Sequence, residues 1–266
     1  MAPRDRLAAP IFEPLRPLIE ALPHDRWPTH GELTALASGV RTARGKPLRF
    51  VPAATHEGGE RRAYEVRIAD TGEVPTRPQN WHDLFNALVW LAYPRAKAMI
   101  NEQHARILEE RGEAEARRRG PERDALTLFD EGGVAIASSA PGLLQLVRDF
   151  EWKELFWNRR EELLRTTRFF AFGHACHEQA LEPYIGMVAK TVFVEVTPAF
   201  VDASCAEQRL IVDKGLADHW ADRARFPSPK AMAPMPVLGV PGWHPDTARE
   251  SFYDDTAHFR SRRRAG

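Results

Sequence analysis

A chain of 266 residues can bury a substantial core, and its 43% apolar and 28% charged residues exclude wholesale disorder. Lys plus Arg and Asp plus Glu total 37 each, so no net field draws the molecule toward nucleic acid or an anionic membrane. The two cysteines, Cys176 and Cys205, are too few for a disulfide framework, form no thiolate zinc pattern, and read as small buried hydrophobes.

Residues 1–10 carry no apolar run of the secretory kind, and the longest apolar stretch, residues 87–93, is far short of a membrane span. A cytoplasmic location is the resulting expectation. Arg outnumbers Lys 31 to 6 and there are four Asn, a bias that fits GC-rich coding. Three of those Asn (Asn80, Asn86 and Asn101) fall close together, which suggests a local demand for carboxamides, although a helix cap and two surface residues would also account for them.

In chain order, residues 12–22 form an amphipathic helix interrupted by prolines. A second helix covers residues 31–37, with Thr29 as N-cap and Glu32 completing a capping box. Residues 48–52 read as a strand and residues 56–60 as a polar loop. Tyr64, Val66 and Ile68 alternate with Glu65 and Arg67 as in a half-buried strand, followed by a turn at residues 70–72 and an extended loop over residues 74–79. Asn80 caps a long helix whose core face is Trp81, Leu84, Phe85, Leu88 and Leu91 or Ala92. Pro94 breaks it, and residues 94–110 continue as a second helix.

Residues 111–122 are charged and aperiodic, and read as a mobile surface loop. Residues 125–129 and 134–138 flank Asp130-Glu131-Gly132-Gly133 as a β-hairpin would. Helices are predicted at residues 141–150, 152–164, 169–181 and 207–224, with a buried strand at residues 186–196. The Pro- and aromatic-rich residues 225–266 read as a long ordered tail. The sum is an α+β fold: one helix-rich domain over residues 11–260 with a small, mainly antiparallel sheet, and flexible termini at 1–10 and 261–266.

Several runs resemble a bacterial domain-of-unknown-function family, number 3025. They are TRPQNWHDLFNALVWLAYPRAKAMIN (76–101), RDALTLFDEGG (123–133), WKELFW (152–157), FGHA (172–175), PVLGVPGWHPD (236–246) and ESFYDD (250–255). The resemblance covers most of the chain and implies a bacterial origin; it implies no activity.

The residues themselves suggest chemistry. His82 and Asn86 share a helix face, as do Lys97, Asn101 and His104 if they are not simply a solvated face. His174 pairs with His177 at i+3 and with Glu178 at i+4, so His174, His177 and Glu178 form a candidate set of metal ligands, with a satisfied core histidine as the plainer alternative. Asp130 and Glu131, with Asp124 upstream, could supply a hard-cation ligand or a general base. His244, between Trp243 and Pro245, is the favoured tail residue, with Asp254 and His258 further on. Lys190, on an apolar strand face, must pair, for instance with Asp130, or open into a pocket.

The working expectation is an enzyme using His82, Asn86, Asp130, His174 and His244 around a pocket, a metal-dependent hydrolase with a divalent ion in one form. The alternative is a non-catalytic domain that binds a small ligand or a partner. No P-loop, dinucleotide fingerprint or nucleophile elbow is present. A small-molecule partner is expected and nucleic acid and membrane are not; the oligomeric state is left open.

Overall fold

The computed structural model describes residues 4–53 and 64–261. The polar loop expected at residues 56–60 lies outside them. The capping box at Thr29 starts helix α1 (His30–Leu36), which packs on a two-stranded parallel sheet of β1 (Arg49–Pro52) and β2 (Glu73–Thr76). Between those strands lies α2 (Tyr64–Thr71). The strand expected there is therefore a helix. It buries Ile68 and Ala69 and packs on a later helix, and Gly72 ends it with φ +74° and close contact to the Pro47 carbonyl.

Asn80 caps α3 (Trp81–Ala92) by accepting from the Asp83 amide at 3.0 Å. Pro94 then begins α4 (Pro94–Arg111), whose first amides are satisfied by Asp213, 3.2 Å from Arg95 N and 2.9 Å from Ala96 N. The expected loop at 111–122 contains a short helix, Glu113–Arg117, and Pro121 opens α5 (Pro121–Gly132). The buried Glu115 holds this corner, accepting from Gly120 N at 2.6 Å.

No hairpin follows. Residues 121–132 are helical because Ala125, Leu126 and Phe129 bury one helix face, and the two glycines let the helix pass directly into strand β3 (Gly133–Ser138). A Cβ at Gly133 would stand 2.4 Å from the Phe129 carbonyl oxygen. All six residues of β3 are buried, as expected for a central strand covered on both faces.

Helix α6 (Pro141–Asp149) ends at Phe150 in the left-handed conformation. The single helix expected over 152–164 is a π-helical turn, Glu154–Asn158, followed by α7 (Arg160–Thr166). Residues expected as helix from 169 divide into strand β4 (Thr167–Ala171) and helix α8 (His174–Gln179), because Phe170 and Ala171 pair beside β3. Strand β5 (Val188–Glu195), helix α9 (Cys205–Ala221) and strand β6 (Pro234–Pro236) complete the framework.

The second sheet has the order β4-β3-β5-β6. The β3–β4 and β5–β6 pairings are antiparallel and β3–β5 is parallel, with Ala135 opposite Phe170 and Val192. The fold is thus helix-rich α+β. One apolar cluster runs from Leu7 to Phe259, so the C-terminal segment contributes to the core through Phe252, Tyr253 and Phe259. Among the described residues no helix is long and apolar enough to cross a membrane. Cys176 is buried but Cys205 is exposed at the start of α9, which corrects the expectation for the second cysteine.

Candidate functional site

The N-terminal half of α3, the middle of α4, the last turn of α5 and the first residue of α8 converge on a cavity of about 370 Å³. Its wall includes His82 and Asn86 from α3, Lys97, Asn101 and His104 from α4, Asp130 and Glu131 from α5, and His174 from α8. The face of α4 expected to be solvated is buried: Lys97, Asn101 and His104 are each about 3% exposed.

Glycine sets the approach of α8 to α5. A Cβ on Gly173 would lie 2.3 Å from the Glu131 carbonyl and 2.5 Å from the amides of Gly132 and Gly133. Only a residue without that atom lets the start of α8 rest on the end of α5. His174 is thereby brought against Glu131 and against His82, 92 residues away in sequence.

Three donor atoms face one another. His82 Nε2 is 3.1 Å from His174 Nε2 and 3.8 Å from Glu131 Oε2, and His174 Nε2 is 3.5 Å from the same carboxylate oxygen. The point in their plane equidistant from all three lies about 2.0 Å from each, the length of a zinc–imidazole or zinc–carboxylate bond. The mean of the three separations, about 3.5 Å, matches three corners of a tetrahedron with bonds of about 2.1 Å.

The outer ring nitrogens face carboxylates. His82 Nδ1 is 3.0 Å from Glu178 Oε2, and His174 Nδ1 is 3.7 Å from Asp130 Oδ2. A partner such as Glu178 fixes the tautomer that leaves His82 Nε2 free as a ligand, whereas His174 Nδ1 faces Asp130 beyond hydrogen-bond length and has no hydrogen-bond partner among the described residues. Behind them Lys97 Nζ donates to Asp130 Oδ1 at 2.6 Å and to Asn86 Oδ1 at 2.9 Å, and it lies over the Trp90 ring.

Burial pushes the His174 imidazole down to about 3, with Lys97 and His82 adding to the shift against the opposing pull of Asp130, so the ring is neutral at pH 7. Burial works against charge on Asp130. Lys97 and His174 outweigh it and hold the carboxyl below its ordinary range. Burial raises Glu131, opposed by His82. Glu65, which also lines the cavity, is pushed up to about 7, again by burial, although Asn101 Nδ2 donates to its Oε2 at 2.7 Å.

The other residues singled out by sequence lie elsewhere or act differently. His177 points into the core, its Nδ1 2.9 Å from the Gly173 carbonyl and its ring stacked on Phe85. Glu178 bonds the outer nitrogen of His82, so the three donors that meet are His82, Glu131 and His174. His244 is not among the cavity-lining residues; it accepts from the Asp246 amide and stacks on Phe252. His258 accepts from Gly186 N, and Asp254 pairs with Lys153. Asp124 is half-exposed near Arg119. Lys190 donates to the carbonyls of Pro229 and Met232, and it is Lys97 that pairs with Asp130.

Sequence reasoning missed Glu65 and did not group Glu131 with the two histidines. Reading residues 121–132 as helical, from the spacing of Ala125, Leu126 and Phe129, would have placed Asp130 and Glu131 in one last turn.

Residues 48–263 match the model of the family described as a protein of unknown function, DUF3025. The chain belongs to this family. No curated protein and no solved structure matches it. The match begins at β1 and spans every residue of the donor triangle and its outer carboxylates.

Proposed function

We propose that this DUF3025 chain is a metal-dependent hydrolase in which His82, Glu131 and His174 hold one divalent ion, zinc by bond length, at the wall of the cavity. The observation that carries this reading is the donor triangle, 3.1, 3.5 and 3.8 Å on its sides. Two neutral imidazoles and a carboxylate leave a tetrahedral ion one open position, where a water becomes acidic enough to yield hydroxide near neutral pH. Asn86, Lys97 and Asn101 offer polar groups on the same wall, and a volume near 370 Å³ suits a small molecule.

Elemental analysis of protein purified from metal-replete medium tests this directly. About one equivalent of zinc or a similar ion is expected, lost in His82→Ala and His174→Ala and retained in His244→Ala. Metal-free protein that also fails to take up added Zn²⁺ or Co²⁺ would overturn the reading. Stoichiometric metal without hydrolysis across ester, amide and phosphoester panels would favour a ligand-binding centre.

A further inference from the structure

Among the described residues four carboxylates line the cavity: Glu65, Asp83, Asp130 and Glu131. Three have defined partners. Asp83 takes the Arg77 guanidinium at 2.7 Å, Asp130 takes the Lys97 ammonium at 2.6 Å, and Glu131 belongs to the donor triangle. Glu65 differs from all of them. Among the described residues no cation lies within ion-pair distance of it, and it is held by a neutral group: Asn101 Nδ2 donates to its Oε2 at 2.7 Å and to its own backbone carbonyl at 2.9 Å.

That pair of hydrogen bonds from one carboxamide fixes the head of Glu65 against the cavity wall through Oε2, and among the described residues no hydrogen bond reaches Oε1. A carboxylate placed in this way, beside a neutral donor and away from a fixed cation, can carry a proton in one state and release it in the other. A carboxylate locked to Arg or Lys cannot do so at neutral pH. The neighbouring charged and titratable groups are Lys97 on α4, Asp130 and Arg123 on α5, and Tyr64 beside it on α2, and none of them is within ion-pair distance of the Glu65 carboxylate.

We infer that Glu65 is the catalytic proton acceptor and donor of this site, with Asn101 as its positioning residue. The inference rests on the metal-dependent reading above. The Glu65 carboxylate takes a proton from a cavity water as the water oxygen bonds to the electrophilic carbon or phosphorus of the substrate. The bond to the leaving group breaks, and the same proton passes from Glu65 to the leaving atom. One water is consumed and no electrons are exchanged.

The test uses the full chain loaded with Co²⁺, whose visible absorption reports changes around the ion, titrated from pH 5 to 9. In the wild type the spectrum is expected to change in two overlapping steps, one from Glu65 and one from the bound water. In Glu65→Gln, which keeps the acceptor for Asn101, one step is lost. Its Co²⁺ affinity should fall by less than the ~10-fold seen when a ligand loses its outer partner. Asn101→Ser serves as the second variant; without the carboxamide donor the step assigned to Glu65 moves upward. If Co²⁺ does not bind, the metal reading fails and this inference falls with it. If Co²⁺ binds and the three titrations superimpose, Glu65 has no such role and the metal reading stands.

Discussion

Lys97→Met is the most searching perturbation of the cavity wall. Methionine keeps most of the stem volume but removes the ammonium that donates to Asp130 at 2.6 Å and to Asn86 at 2.9 Å. Breaking a buried ion pair from one side costs ~3–5 kcal/mol, because the remaining charge stays desolvated. The Asp130 side chain keeps 20% of its exposure, which favours the low end, and the orphaned Asn86 oxygen adds ~1 kcal/mol. The expected loss is therefore about 3–4 kcal/mol, read from urea unfolding at pH 7 with chelator present so that metal linkage does not contribute.

Adding Asp130→Asn removes the stranded charge, so the double variant should be less destabilised than the sum of the singles by about 2 kcal/mol. The sign with pH follows from the depressed Asp130 carboxyl. Its stabilisation is present above the unfolded value, 3.8, and is lost as pH falls through the lower folded value. In Lys97→Met, burial is no longer opposed by the ammonium and raises the stranded carboxyl, so the gap between wild type and variant should begin to narrow above 3.8, where that carboxyl takes up a proton, and continue to narrow down to the wild-type folded value. A loss below about 1 kcal/mol, or strict additivity of the two substitutions, would refute the electrostatic account of this wall.

Glu178→Gln should weaken metal affinity by roughly 10–100-fold, measured by competition with a chromophoric chelator, because it removes the anionic partner of His82 Nδ1 at 3.0 Å. Gly173→Ala should destabilise the fold by about 2 kcal/mol or more and lower metal affinity, since its methyl would stand 2.3 Å from the Glu131 carbonyl and force α8 off α5. Burial holds His177 near 4 and His104 near 3, the latter helped by Arg123, against 6.5 in the unfolded chain. Between pH 7 and 5 the unfolded state gains protons that the folded state does not. Stability should fall by about 2 kcal/mol per such ring, and His177→Phe should flatten the urea midpoint's pH dependence.

Legibility varied with how local the determining contacts are. The caps at Thr29 and Asn80 and the break at Pro94 were readable because each is settled within four residues. Tyr64-Glu65-Val66-Arg67-Ile68 alternates like a strand, yet folds as a helix because Asn101 and the rest of α4 pack against it. The pair of glycines at 132–133 imitated a hairpin turn, although its role is to let α5 run straight into β3. His82 and Asn86 could be placed on one face by helical spacing. Glu131 and Glu65 could not be assigned roles, because each depends on a partner supplied by a distant element.

The cavity histidines can be judged against one that is purely structural. His177 is fully buried, bonds the Gly173 carbonyl through Nδ1 and packs its ring among Phe12 and Phe85, while its Nε2 has no hydrogen-bond partner among the described residues; one backbone bond and aromatic packing hold this core imidazole. His82 and His174 are arranged otherwise. Each turns Nδ1 toward a carboxylate and presents Nε2 to the other ring and to Glu131. As metal ligands both Nε2 atoms would present lone pairs beside the carboxylate oxygen, and three such acceptors repel one another unless a proton or a cation lies between them. One proton can bridge only two of the three atoms, whereas a divalent ion at about 2.0 Å reaches all three. The fold holds this arrangement in place by pressing Gly173 onto the end of α5, an approach that any side chain would prevent.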